Sequence, residues 1–366
     1  MREFLPDYQG ATIVTLFILG SGSIYGLGAR ANNDLWLAFL LAIVLALPMI
    51  LLYARLRSIL PSENLYGGLD RLYGSWIGRL VAFLYSLYAW YLACIVGKDV
   101  SIFINSVALS FTPQPVLVLF LALLSLWAAK EGLQTLGRWS ALALKSVLTV
   151  IAITMMLLVT QVNLKEFLPL LYNGWKPVLL GSLELADFPF LETVVLIWGL
   201  EGLSSKKSPY KILLPGFFIG AIVLTVVSSL TMSVIGPDKY ASSYFPSYLA
   251  VSRISLFRFL TRLEATVGIT FVVTCFLKIA VCLVIACKGL AHALGIADYR
   301  ILVTPLALGI IPGSQWLIKS QMEAYINATK VIGPYDFSMQ VILPLMLWIT
   351  AEFKLSVHRK KGEGAN

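Results

Sequence analysis

The residues best suited to chemistry interrupt the sixth long apolar run of the chain. Two carboxylates, Asp187 and Glu192, flank Pro189 there. A charged side chain at bilayer depth costs about 2.5 to 3.5 kcal/mol on insertion scales, and proline removes a backbone hydrogen bond and clashes with the preceding turn. Both features need compensation from elsewhere in the chain. They predict a helix break at Pro189, where Phe188 and Phe190 would shape the apolar part of a pocket.

A counter-charge for this segment occurs in the eighth apolar run. Threonines recur every four residues before Lys278, the last two being Thr270 and Thr274, so these side chains share one helical face. A lysine in a membrane helix should face protein or a water-filled cavity, whereas threonine hydroxyls can also bond back to their own helix. We predict that Lys278 pairs with Glu192, the deeper carboxylate, either as a structural lock or as a pair that opens on ligand or proton arrival. Asp187 is expected to face an outer vestibule.

The first apolar run carries glycines and serines in its second half, including Gly20, Ser21, Gly22 and Ser23. Each glycine weakens a helix by about 1 kcal/mol relative to alanine. Two interpretations stay open. Gly22 and Gly26 have the spacing of a close-packing face, or the helix unwinds over residues 20–23 and exposes backbone groups to a ligand.

Other polar residues within apolar runs have simpler interpretations. Lys145 lies about one turn inside the fifth run and either extends to the inner surface or ties two helices together. Lys98 and Asp99, near the outer end of the third run, are interpreted as a pair whose charged ends reach the membrane surface. Three tyrosines at a spacing of three are interpreted as packing residues or as one wall of a ligand site: Tyr85, Tyr88 and Tyr91.

The composition indicates that these residues lie in a membrane protein. With 58% hydrophobic and 13% charged residues, and a mean hydropathy of +0.84, the chain is predicted to be an integral membrane protein. Ten apolar runs are long enough to approach or span a bilayer: 9–28, 35–56, 76–108, 114–129, 140–161, 183–200, 211–235, 264–287, 300–317 and 334–352.

Charge and side-chain chemistry restrict the function. Most of the 28 lysines and arginines fall on one set of connections, which predicts that both termini are cytoplasmic. The net charge of +9 fits attraction to anionic lipid rather than to nucleic acid. The four cysteines lack metal-ligand spacing and the two histidines lie at cytoplasmic segments. We therefore expect no metal site, no cofactor and no catalytic residues.

Several motifs occur in order along nearly the whole chain. They are the glycine-rich first run, Lys130–Arg138 (KEGLQTLGR), the Phe188-Pro189-Phe190 motif with Glu192, and the Phe276–Lys278 motif (FLK). In these motifs the chain resembles the endospore germination permease family, the B subunit of spore germinant receptors, within the amino acid–polyamine–organocation transporter superfamily.

The resemblance implies an all-α polytopic membrane protein of ten transmembrane helices. Two inverted five-helix repeats, residues 9–161 and 183–352, would form a single transmembrane domain followed by a basic cytoplasmic tail, residues 353–366. The first and sixth helices would be broken at the membrane midplane, where such folds bind a small ligand.

The implied function is sensing of a germinant, an amino acid or similar small molecule, by a subunit embedded in the spore inner membrane. Receptor A and C subunits would be its partners, together with membrane lipid. The alternative is a proton-coupled amino-acid transporter, in which Lys278 or Lys145 would occupy the place of a sodium ion in sodium-driven relatives. A ligand-gated ion or water channel stays open as a third class.

Overall fold

The apolar runs of the sequence form a bundle of helices. A computed structural model describes residues 5–60, 65–203, 205–253, 263–320, 322–323 and 333–363, with side chains to residue 356. Within these ranges the secondary structure is helical and no strand occurs. Seven helical segments in this part of the chain are long and apolar enough to cross a membrane. The predicted class, an all-helical membrane protein, is confirmed.

The helices follow the chain in this order: α1 (Asp7–Gly22), α2 (Leu35–Ile59), α3 (Leu65–Tyr73), α4 (Ser75–Val107), α5 (Gln114–Glu131), α6 (Leu133–Val159), α7 (Trp175–Leu185), α8 (Val194–Ile197), α9 (Ser208–Ile235), α10 (Pro237–Ser242), α11 (Pro246–Ser252), α12 (Glu264–Leu294) and α13 (Arg300–Leu317). The C-terminal helix comprises Gly333–Phe337, a π-helical turn over Ser338–Ile342, and Leu343–Glu363. Short 3₁₀ turns cover Ala29–Asp34, Leu164–Phe167 and Leu191–Thr193.

Two helices begin earlier than their apolar runs. α6 starts at Leu133 and α7 at Trp175, seven and eight residues before the runs that begin at 140 and 183. Each start follows a glycine at positive φ, Gly132 at 88° and Gly174 at 74°. The first turns of both helices carry polar residues, so hydropathy alone places their starts too late.

On the side of the bundle that carries the C-terminal helix end, a short amphipathic helix is attached to the bundle. This helix is α3, and residues 61–64 before it lie outside the described part. Asp70 of α3 contacts His292 Nε2 of α12 at 3.3 Å, and the Tyr66 ring stacks on His292 at 5.3 Å. Lys354 donates to the backbone oxygen of Leu72. Of the predicted tail, residues 364–366 lie outside the described part.

α1 is buried in the bundle and packs closely on α9. A Cβ atom at Gly216 would lie 2.5 Å from Cβ of Val14 and 2.8 Å from the backbone oxygen of Ala11. The Thr15 hydroxyl also lies 3.3 Å from the backbone oxygen of Gly216. The two helices touch backbone to backbone here, which only a residue without a side chain permits.

This contact predicts that Gly216→Ala lowers the melting temperature of the purified protein. The added methyl cannot fit unless α1 and α9 separate, and overpacking of this kind costs about 1 to 3 kcal/mol. Gly97→Ala in α4 is the matched control, because its Cβ would meet neighbours at 3.4 Å and beyond. A Gly216→Ala protein that melts with or above Gly97→Ala would contradict the close approach.

Candidate functional site

Both predicted helix breaks are present. α1 loses helical geometry at Gly20 (φ −25°, ψ −111°) and ends at Gly22. The Ser23 hydroxyl donates to the backbone oxygen of Gly20 at 3.2 Å, inside the break. Between α7 and α8 the chain passes through a π-helical turn with Phe188 in extended geometry (φ −126°, ψ 120°), followed by Pro189. Each break frees backbone polar groups from regular helical pairing, as a midplane ligand site requires.

The predicted contact between Glu192 and Lys278 is also present. Nζ of Lys278 donates to Oε2 of Glu192, with the lysine side chain fully buried and 10% of the glutamate side chain exposed. The ammonium group also lies 4.8 Å from the ring centre of Phe17 and 5.2 Å from that of Phe188. One carboxylate and two aromatic faces therefore surround the Lys278 ammonium group where water would otherwise solvate it.

The glycines of α1 bring its break against both the ion pair and the second break. A Cβ atom at Gly20 would lie 3.0 Å from Cδ of Lys278. A Cβ atom at Gly22 would lie 3.4 Å from Cγ of Pro189 and 3.1 Å from Cδ1 of Leu224. The two breaks therefore face each other, with the ion pair beside them.

A third carboxylate, Asp99 of α4, belongs to this region and was missed in the sequence. The Asp99 carboxyl lies close enough to interact with the side chains of Tyr25 and Ser21, and the charge of Lys278 attracts it. The interpretation of Lys98 and Asp99 as one surface-seeking pair is wrong, because consecutive helical residues point about 100° apart. One signal was available: Asp99 lies eleven residues after Tyr88, about three helical turns, so the two share a face.

Lys98 points to a different side of α4, where it is 2% exposed. Its Nζ donates to the side-chain oxygens of Gln114 at 2.7 Å and Gln315 at 2.8 Å. This lysine therefore joins α4 to the helices beside it and takes no part in the ion-pair region.

The threonines of α12 bond to their own helix. The Thr270 hydroxyl donates to the backbone oxygen of Thr266 at 2.8 Å, and that of Thr274 to the oxygens of Thr270 and Phe271 at 2.9 Å each. Thr270 also lines a cavity with Ser23. The other residues of that cavity are Val150, Ile151, Thr154, Met155, Val227, Ser247 and Val267.

Three further predicted site residues either lie away from the ion pair or make contacts with other groups. Lys145 is exposed on α6. Phe190 is fully buried and packs edge-on against Phe217 at 5.3 Å. The Ser21 hydroxyl lies 4.0 Å from Sγ of Cys275. The structure therefore brings together Gly20, Gly22, Phe188, Pro189, Glu192 and Lys278 but leaves Lys145 and Phe190 outside.

Asp187 is partly exposed, and its expected position at an outer vestibule stays a prediction. Because α7 begins at Trp175, Asp187 stands about three turns into the helix rather than one. There it lies beside Gln340 of the C-terminal helix.

Comparison with known proteins fits this architecture. Residues 5–320 match the family described as Spore germination protein. The chain belongs to this family. Spore germination protein KB of Bacillus subtilis (strain 168) is 25% identical over 358 residues, which cover 96% of each chain.

Solved transporter structures share the fold. The nucleobase-cation-symport-1 family transporter MHP1, closed with bromovinylhydantoin bound, superposes with a TM-score of 0.68 at 11% identity, over 92% of this chain and 78% of MHP1. MhsT in complex with L-phenylalanine gives a TM-score of 0.59 at 15% identity, over 96% and 89% of the two chains. The family and these neighbours are permeases and transporters rather than enzymes.

The buried pair leads to a prediction about stability. Glu192→Lys or Lys278→Glu alone should strongly lower the melting temperature, because leaving one charge buried and unpaired costs about 3 to 5 kcal/mol. The double reversal should recover part of that loss.

The control for this experiment is the half-exposed pair of Arg30 and Glu184. Nε of Arg30 lies 2.7 Å from Oε1 of Glu184. Reversals there should change the melting temperature little, because exposed pairs contribute about 0 to 1 kcal/mol. Absence of any recovery in the Glu192/Lys278 double variant would argue that the two side chains do not depend on each other.

Proposed function

We propose that this protein is the membrane-embedded sensing subunit of a spore germinant receptor, and that a small germinant, an amino acid or similar molecule, binds at the breaks of the first and sixth helices. The observation that carries the proposal is the apposition of the two breaks, with Gly22 against Pro189 and Gly20 against Lys278. Family membership supplies the germination context.

In this proposal the unwound backbone over residues 20–23 holds the carboxylate of the ligand. Backbone N–H groups at a helix break, together with the positive ends of half-helices, favour an anion. The Ser21 and Ser23 hydroxyls are available as donors once they leave Cys275 and the backbone oxygen of Gly20. The apolar part of the ligand would lie against Phe188, whose ring already borders Lys278.

The ion pair would connect ligand binding to the rest of the receptor. Lys278 touches the first break through its side-chain stem and the second through Glu192. A ligand that displaces the first break by even a fraction of an ångström must therefore shift the lysine. Protonation of Glu192 would release Lys278 in the same way, which makes the pair a candidate coupling element for ligand or proton.

The proposal also covers the topology, the localisation and the partners of the protein. The chain would form ten transmembrane helices in two inverted five-helix repeats, residues 9–161 and 183–352, within one transmembrane domain. Both termini would be cytoplasmic, with the protein in the spore inner membrane. Receptor A and C subunits would supply the extramembrane parts, and anionic lipid would contact the basic tail.

A proton-coupled amino-acid transporter is the second candidate. The likeness in fold to symporters favours it, as does a lysine at a place where a sodium-driven transporter would bind an ion. Lys278 alone supports this role, because Lys145 is exposed on α6.

The binding proposal predicts that Gly22→Leu abolishes stabilisation of the purified protein by its ligand. The leucine would collide with Pro189 and Leu224 and so force the two breaks apart. The measurement is the ligand-dependent shift in melting temperature across the twenty L-amino acids. Gly97→Leu, in α4 and away from the breaks, serves as the control. Unchanged ligand affinity in Gly22→Leu would refute the site.

Sensor and transporter differ in two observable ways. Neighbouring genes for a large soluble-domain A subunit and a lipoprotein C subunit would favour the sensor, and spores lacking this gene should lose the response to one germinant of a panel. Uptake of labelled amino acid by proteoliposomes that contain this protein alone would favour the transporter.

A further inference from the structure

The segment that leads from α6 into α7 exposes large apolar side chains. We call residues 164–176 the apolar connection; they include the first two residues of α7. Five of its side chains are between 53% and 79% exposed: Leu164, Leu168, Leu170, Tyr172 and Trp175. Apolar side chains exposed this densely normally mark a surface that another molecule covers.

Hydrogen bonds hold the apolar connection in place. The Asn33 amide donates to the backbone oxygens of Glu166 at 2.8 Å and Leu168 at 3.1 Å. The N–H group of Leu171 donates to both carboxylate oxygens of Asp34, at 3.0 and 3.1 Å. Leu171 has a φ of 52° there, which is uncommon for a residue other than glycine, so Asp34 helps to set the path of the backbone. A braced backbone therefore presents the exposed side chains.

The length of α7 places the apolar connection at the surface of the bilayer. α7 has 11 residues, which make about 16 Å of helix, and half of the hydrocarbon core is about 15 Å thick. With the break between α7 and α8 at the midplane, as the proposed ligand site requires, Trp175 lies at the edge of the hydrocarbon. α7 also exposes Leu179, Leu180 and Leu183, so the apolar surface continues from the connection onto a helix within the membrane.

The side chains of the connection fit lipid headgroups better than protein. Tyr172 and Trp175 are residue types enriched at membrane–water interfaces. Lys165 and Lys176 are exposed, and neither forms an ion pair within the described residues. Lysine near a bilayer attracts anionic lipid, whereas it is depleted at protein–protein interfaces. An anionic membrane surface therefore matches both the apolar and the charged side chains.

We propose that the apolar connection binds the membrane surface, with its apolar side chains among the lipid headgroups and with Lys165 and Lys176 on anionic phosphates. This inference rests on the proposed function only for the depth of the break between α7 and α8. Its consequence concerns the first break. Asn33 and Asp34 belong to the turn that begins at Ala29, seven residues after the last residue of α1. The lipid surface therefore anchors the chain that leaves the proposed ligand site.

The test uses the full-length protein in nanodiscs of phosphatidylcholine and phosphatidylglycerol. A nitroxide label is attached to Leu170→Cys or to Tyr172→Cys. Electron paramagnetic resonance then measures how often the label collides with oxygen, which concentrates in lipid, and with a neutral nickel chelate, which stays in water. The four native cysteines are buried and should not be labelled. Both labels should collide with oxygen more often than with the nickel chelate, because they lie among lipids.

Ser242→Cys in α10 is the matched control. α10 begins beside the apolar connection, since a Cβ atom at Gly236 would lie 3.7 Å from Oε2 of Glu166, but it exposes Asp238, Lys239 and Ser242. The ratio of oxygen to nickel collisions should be severalfold lower for its label than at positions 170 and 172. Equal ratios at the three positions would overturn the proposal. So would labels at 170 and 172 that neither reagent reaches, because protein would then cover them.

The lysines are tested with the label at Tyr172→Cys. Lys165→Gln together with Lys176→Gln should lower its ratio of oxygen to nickel collisions in nanodiscs that contain phosphatidylglycerol, but not in pure phosphatidylcholine. Lys239→Gln should leave the ratio unchanged in both. An equal effect in both lipids, or none, would overturn the role of anionic lipid. These measurements need no germinant, so the membrane contact can fail while the ligand site tested by Gly22→Leu stands, and the ligand site can fail while the labels report lipid.

Discussion

The bundle depends on one buried ion pair, between Lys278 of α12 and Glu192 in the break between α7 and α8. Neither charge can stay deep in a membrane protein without the other, because desolvation costs several kcal/mol per ion. The pair therefore dictates that α12 docks against the break between α7 and α8. Phe17 and Phe188 complete the surroundings of the ammonium group, so α1 must close on the same place. Three elements distant in the sequence are joined by the need to keep one lysine paired.

The breaks and the glycines are consequences of this arrangement. Irregular backbone at membrane depth is tolerated only where protein or a cavity surrounds it. Gly20 and Gly22 make that possible, because they let α1 approach Lys278 and Pro189 to contact distance. The same closeness leaves little free volume between the breaks. A ligand there would have to replace contacts that the protein makes with itself, and this links occupancy to a change in packing.

Hydropathy predicts the helices well where the chain enters lipid directly. α9 begins three residues before its apolar run, and α13 coincides with its run. It fails for α6 and α7, whose first turns are polar, and the error in α7 misplaced Asp187 by two turns. Glu192 and Lys278 could be paired from sequence because a buried charge needs a counter-charge. Asp99 shares a helical face with Tyr88, but its partners could not be predicted, because the direction in which that face points depends on tertiary packing. The role of Lys145 was equally undetermined, since a lysine one turn inside a helix can extend outward as easily as inward.

The contact between Gly20 and the side-chain stem of Lys278 has a consequence for relatives of this protein. The two positions lie on different helices and are distant in the chain, yet one Cβ atom at position 20 would lie only 3.0 Å from Cδ of the lysine. A relative with a larger residue at position 20 must therefore move the lysine stem or carry a shorter side chain at position 278, and a shorter, neutral side chain there would leave an acid at position 192 without its counter-charge. The three positions should change together, which would allow sequences alone to sort the family into members that keep the membrane charge pair and members that do not.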